Sequence, residues 1–209
     1  MIFYYLFFFV FPIFVLKKSD KMESQDNRNT AFLVMDMQAG IFGILPDATN
    51  VLPKVARAIE SARRNKIPVI YVVVGFREGA LEVSRNNKGV AAARERFAAA
   101  NSEEFTQVHP YIAPQGGDFI VIKRRLSAFS GSDLELVLRA FGVRHLVLAG
   151  ISTSGVVLST LREATDKDYR LTVLADCCAD GDEEVHRVLT TKIFPRHADV
   201  LKVDDWNEK

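Results

Sequence analysis

Apolar runs of strand length recur along the chain, and each is followed by a stretch in which apolar residues return every three or four positions. Ala31 to Met35 is the first such run, and Ile67 to Val74, broken by Gly75, is the second. Asp118 to Ile122, Val143 to Ala149, Leu171 to Ala175 and Val200 to Val203 complete the series. Between the first two, Val51, Val55, Ile59 and Ala62 fall on one face of a predicted helix over Asn50 to Lys66, whose basic end suits the helix dipole. Ser132 with Glu135 has the capping-box pattern; Leu134, Val137, Leu138 and Phe141 then make a packed face, and Gly142 stops the helix. Val156, Val157, Thr160, Leu161 and Ala164 predict a helix to about Asp168, and Glu183 to Phe194 another. Strands alternating with helices predict an α/β fold, a parallel sheet covered on both faces.

Composition narrows this further. A chain of 209 residues, 48% hydrophobic and 25% charged, is enough for one domain with a sizeable core. Formal charge is +1 with acids and bases interleaved, so no basic stripe points to nucleic acid. Cys177 and Cys178 are adjacent and cannot staple distant segments, which fits a reduced, cytoplasmic setting.

Met1 to Leu16 is set apart as an apolar tract ending at Lys17-Lys18. It falls short of the roughly 20 apolar residues of a spanning helix, and it lacks the leading charge and small cleavage residues of a usual signal. Three readings stay open: translation beginning at Met22, an atypical signal or membrane anchor, or an ordered part of the domain. A membrane is a partner only under the second. Lys17 to Arg28 reads as a polar linker, so residues 1–29 stand apart from a domain over 30–209.

Candidate chemistry gathers where strands end. Gly150-Ile-Ser-Thr-Ser-Gly155 joins the fourth strand to its helix; such a turn is either an anion or oxyanion site or an ordinary connection. Asp36, followed by Met37 and Gln38, ends the first strand as a carboxylate that is costly to bury without a partner, unless it merely caps a helix or turns at the surface. Lys123 ends the third strand and could simply snorkel to water. Gly75 to Gly117 is a long polar connection, with a helical piece around Val90 to Ala100 and a turn over His109 to Pro114. Phe76, Arg77 and Arg85 are its candidates for substrate contact, with solvated surface as the other reading of the arginines. His109, His145, His186 and His197 lack ligand spacing and read as surface or capping residues.

The stretch from Gly150 to Thr160 resembles the active-site elbow of the isochorismatase-like, or cysteine hydrolase, superfamily, whose usual pattern is Gly-[Ile/Val]-x-Thr-x-x-Cys-Val-x-x-Thr. Gly150, Ile151, Thr153, Val157 and Thr160 match it. Asp36-x-Gln38 and Lys123-x-x-x-Ser127-Ala128-Phe129 resemble two further signatures. From Thr30 to Val203 the resemblance implies a single doubly wound domain with a six-stranded, mainly parallel sheet. It implies a catalytic Asp36 paired with Lys123, substrate contacts at Gln38, Ser152, Thr153 and Val156, and oxyanion donors in the N–H groups of Ser152 and Val156. A cis bond is implied between Ile151 and Ser152. Arg124 and Arg125 are expected mostly outside the site, and Ser127, Ala128 and Phe129 in its wall.

The position of the superfamily's nucleophilic cysteine is occupied by Val156, which offers no nucleophile. True isochorismatases also lack that cysteine and are thought to cleave a vinyl ether by general acid catalysis. The resemblance therefore implies a hydrolase of a small anionic substrate working by non-covalent acid/base chemistry. The alternatives are an amide or ureide hydrolase with a substitute nucleophile, from Ser152 to Ser154 or from Cys177 and Cys178, and a non-catalytic binding protein. Nicotinamidase-type relatives carry metal-binding histidines after the second strand, and Gly75 to Asn101 has none. No metal or other cofactor is expected; homo-oligomers are common in the superfamily.

Overall fold

The computed structural model of the protein describes residues 29–91 and 102–207. The tract Met1 to Leu16, the linker that follows it and most of the alanine-rich piece lie outside the described residues. Strands β1 (Thr30–Met35), β2 (Val69–Val74), β3 (Phe119–Lys123), β4 (His145–Ile151), β5 (Arg170–Ala179) and β6 (Asp199–Leu201) form one sheet in the order β3-β2-β1-β4-β5-β6. Every pairing is parallel. Every residue of β1, β2 and β4 is buried, as their unbroken apolar runs require of strands covered on both faces.

Alternate residues of β1, β2 and β4 feed two separate cores. Phe32, Val34, Tyr71, Val73 and Val147 pack under the helix Leu52–Arg64, where Val55, Ala58, Ile59 and Ala62 form the buried face. Leu33, Met35, Ile70, Val72 and Leu148 pack on the other side against the helices Leu134–Ala140 and Leu158–Asp166. Burying each Val, Leu or Ile side chain contributes on the order of 1.5–3 kcal/mol before chain entropy is counted.

Several boundaries differ from the sequence pattern for local reasons. The expected helix from Asn50 begins instead as a 3₁₀ turn, Pro46–Val51, and becomes α-helical at Leu52. Ser132 makes no capping box: its hydroxyl donates to the Ala128 carbonyl at 2.6 Å, while Glu135 turns to Arg139 and Lys167. Gly142 ends the helix in the left-handed region, φ 64°. The last strand stops at Leu201, because Val203 opens a helix that sets Trp206 against Phe32 with ring centroids 5.6 Å apart. Among the described residues no helix is long and apolar enough to cross a membrane.

His145 corrects the expectation of surface or capping histidines. It is buried between Thr30, at 3.3 Å, and Thr172, at 2.9 Å, on the flanking strands. Burial, and secondarily Arg170, lowers its pKa to about 4. The unfolded chain therefore binds a proton between that value and the ordinary pKa that the folded chain refuses. The stability contribution is whole above about 6.5 and is lost as pH falls toward 4. His145→Gln should accordingly lose less stability than the parent between pH 7 and 4.5, by about 2–3 kcal/mol, in urea unfolding at both pH values.

Candidate active site

The sheet order reverses between β1 and β4: from β1 the chain winds outward through β2 and β3, then returns to β4 and leaves through β5 and β6. At such a switch point the loops leaving adjacent strands diverge and open a crevice at the carboxyl edge. Met35 is paired with Gly150 there, which places Asp36 and the elbow side by side. A side chain at Gly150 would meet the Met35 Cβ, the Met35 carbonyl and Val157 Cγ2, all at 3.1 Å. Gly150→Ala is expected to cost about 1–3 kcal/mol through this overpacking, measurable as a lowered urea midpoint.

Asp36 takes a left-handed backbone, φ 56°, and its N–H donates to the Val72 carbonyl at 2.7 Å, so the chain turns sharply while still pinned to β2. Its carboxylate is buried, and Oδ2 lies 2.9 Å from Lys123 Nζ. Lys123 pairs with Val74 at the end of β3, so its side chain must pass over the end of β2 to reach Asp36. The ammonium also donates to the Arg125 carbonyl at 2.8 Å. Asp36 Oδ1 has no hydrogen-bond partner among the described residues. Burial lifts the pKa of Asp36 to about 6, against the opposing pull of Lys123.

Gln38 is entirely buried and committed to backbone. Its amide donates to the carbonyls of Val74 and Phe105, both at 2.8 Å, and its oxygen accepts the Val74 N–H at 2.7 Å. It fixes the Asp36 turn to the end of β2 and does not line the cavity described below.

At the elbow, Ile151–Ser152 is a cis peptide. Ser152 Oγ accepts the Gly155 N–H at 3.1 Å, and Asp180 accepts the Ser154 N–H at 2.6 Å. Thr153 is buried with its hydroxyl 2.8 Å from His186 Nδ1, so it braces the turn from behind. Thr160 accepts the Ala128 N–H at 2.9 Å, tying the segment after Lys123 to the elbow helix.

These parts enclose a cavity of about 170 Å³. Asp36, Lys123, Arg125 and Ser152 are its polar wall; Leu45, Phe76, Leu126, Ile151 and Val156 are part of a larger apolar one. A broader groove of about 730 Å³ runs along the outer side of β3, past Ile120 and Ile122, and contains none of the site residues. Ser152 and Phe76 thus face the cavity, and Val156 closes it where the resemblance would place a thiol. Arg77 and Arg85 are exposed and off its wall; Arg77 instead engages Glu82, through its N–H at 2.9 Å and its guanidinium at 3.6 Å. Arg125, expected mostly outside, is half-buried in the wall; Ile41, Leu45 and the exposed Ile44, from a segment that carried no sequence signal, line it as well.

No substitute thiol reaches this space. Cys177 and Cys178 lie on opposite faces of β5, neither lines the cavity, and burial pushes both thiols up, Cys178 to about 12. Among the described residues no three histidine, cysteine or carboxylate side chains converge as a metal site requires.

Residues 30–205 match the isochorismatase domain family. The chain is 33% identical over 171 residues to the isochorismatase family protein YwoC of Bacillus subtilis, covering 82% of this chain and 88% of that one. It is 32% identical over 178 residues to ureidoacrylate amidohydrolase RutB of Stutzerimonas stutzeri, covering 74% and 71%. Among solved structures, an isochorismatase family protein from Burkholderia thailandensis superposes with a TM-score of 0.76 at 27% identity, covering 87% and 95%.

Proposed function

The chain belongs to the isochorismatase family, and from that premise we propose that it hydrolyses a small carboxylate-bearing vinyl ether by acid catalysis from Asp36, with no covalent intermediate. The observation that carries this reading is a buried carboxyl with a pKa near 6 and one unpartnered oxygen, set in a cavity where the elbow offers Val156. At pH 7 about a tenth of such groups hold their proton. The Asp36 proton passes to the terminal methylene carbon of the enol ether, leaving an oxocarbenium ion. Water adds to the ether-bearing carbon of that ion and returns a proton to the carboxylate, and the hemiketal collapses to an alcohol and a 2-oxo acid. The apolar wall suits a hydrocarbon ring and raises the acid's pKa. Lys123 holds the carboxylate in place between turnovers.

Similarity to an amidohydrolase favours a second reading, amide or ureide hydrolysis with Ser152 as a substitute nucleophile. Ser152 does face the cavity, yet among the described residues its hydroxyl has no hydrogen bond to Asp36 or to another base. The vinyl-ether reading needs no such base.

Release of pyruvate from isochorismate by the purified chain, with ureidoacrylate run in parallel, separates the two. For the acid mechanism, kcat/KM should be level below about pH 6 and fall tenfold per unit above it, following the protonated fraction of Asp36. A profile that rises through pH 6 makes Asp36 a base. Turnover of the ureide alone overturns the proposal.

A further inference from the structure

We propose that Arg125 determines substrate specificity by holding the substrate's carboxylate, and that the site therefore selects small carboxylates with an otherwise apolar body. This deepens the preceding reading and rests on it only for the reaction that follows binding. The geometry points to Arg125 through a charge that the protein leaves unmatched. Lys123 spends its charge on Asp36 at 2.9 Å and a further N–H on the Arg125 carbonyl. Among the described residues Arg125 donates only to neutral oxygens: Nη1 to the Arg124 carbonyl and Nη2 to the Glu82 carbonyl, both at 2.6 Å.

Glu82, whose main-chain carbonyl Arg125 holds, turns its carboxylate to the Arg77 N–H at 2.9 Å and to Arg124 Nε at 3.8 Å. No ion pair joins Arg125 to any carboxylate among the described residues. A guanidinium has more N–H donors than these two bonds use. Two main-chain carbonyls thus clamp a half-buried cation at the wall of the Asp36 cavity, with donors to spare and no counter-ion among the described residues.

Such an arrangement is pre-organised for an anion. The side chain is already ordered, so little rotamer entropy is lost on binding, and its planar donors match a carboxylate better than an ammonium does. Proton uptake by Asp36 would leave Lys123 and Arg125 as two cations facing one cavity, which strengthens the demand for an anionic ligand. Among the described residues the rest of the wall contains no side-chain amide, only Ser152 besides the charged groups, so a ligand rich in N–H and C=O groups would be poorly satisfied. Leu45, Phe76 and Leu126 instead accept a ring.

Benzoate and benzamide differ in charge but hardly in shape, and both can be titrated calorimetrically into the full chain. Benzoate should bind at least about tenfold more tightly than benzamide, and Arg125→Gln should remove that preference while leaving benzamide affinity unchanged. Equal binding of the two ligands to the parent, or an undiminished preference in Arg125→Gln, overturns the proposal. Because Arg125 also joins two loops, a second measurement avoids the variant: a crystal of the parent chain soaked with 4-bromobenzoate, its bromine located by anomalous scattering. A carboxylate on the Arg125 guanidinium supports the proposal; one held elsewhere, or no bound ligand, overturns it. Neither measurement depends on turnover, so failure of the acid mechanism and failure of the carboxylate clamp are read separately.

Discussion

Asp36→Asn is expected to lower kcat/KM for a carboxylated vinyl ether by about 10²–10⁴-fold, the usual contribution of a positioned general acid, while leaving the fold at least as stable at pH 7. The two halves of this result come from one fact. Burial raises the carboxyl's pKa from 3.8 to about 6, with Lys123 opposing the rise but not cancelling it. A folded state that binds a proton more tightly than the unfolded chain gains stability as pH falls from about 6 toward 3.8; at pH 7 it carries the charged form at a cost. Asparagine removes that charge and keeps an oxygen to accept from Lys123. In urea unfolding the variant should match or exceed the parent at pH 7, and its advantage should shrink by pH 4. An inactive variant that is also markedly less stable would mean that the pair serves folding, and the catalytic assignment would fall.

Two buried groups then make opposing contributions to the acid behaviour of the domain. Acidification below pH 6.5 withdraws stability through His145 and returns it through Asp36 over nearly the same interval. Asp36→Asn should therefore make the domain more sensitive to mild acid, since the His145 effect is no longer offset by Asp36.

How much of this was legible in the sequence follows from the range of the interactions involved. The unbroken apolar runs of β1, β2 and β4 announce strands covered on both faces, and an Asp, a Lys and a small-residue turn at strand ends mark one edge of the sheet. Proximity of Asp36 to the elbow follows once β1 and β4 are neighbours. Arg125 could not be assigned because its anchors are the carbonyls of residues 82 and 124, and main-chain partners leave no trace in residue identity. Gln38 fits its signature, yet whether its amide faces a ligand or the end of β2 depends on Val74 needing partners for both its N–H and its carbonyl. His145 looks like any strand-end histidine until Thr30 and Thr172 are placed beside it. The segment holding Ile44 and Leu45 has neither period, so its place in the cavity wall is set by tertiary packing alone.

Lys123→Met is expected to move the acid limb of the kcat/KM profile upward from about 6 by at least about one pH unit and to lower its plateau by about 10–100-fold. Lys123 acts on Asp36 by charge and by hydrogen bond, and both favour the ionised carboxyl. Methionine fills a similar volume but supplies neither, so desolvation is opposed only by the weaker backbone contribution of Val74 and the proton is held more firmly. A more firmly held proton is present at higher pH but is a weaker acid toward the enol ether, which is why the limb rises while the plateau falls. Loss of the 2.8 Å bond to the Arg125 carbonyl would also loosen the loop carrying the proposed carboxylate clamp, raising KM for anionic ligands in addition. A purely structural lysine would instead lower activity at every pH with the limb unmoved. Kinetics across pH 5–9 on the folded variant separate the two, and an unshifted limb would show that the titrating group seen in the rate is not Asp36.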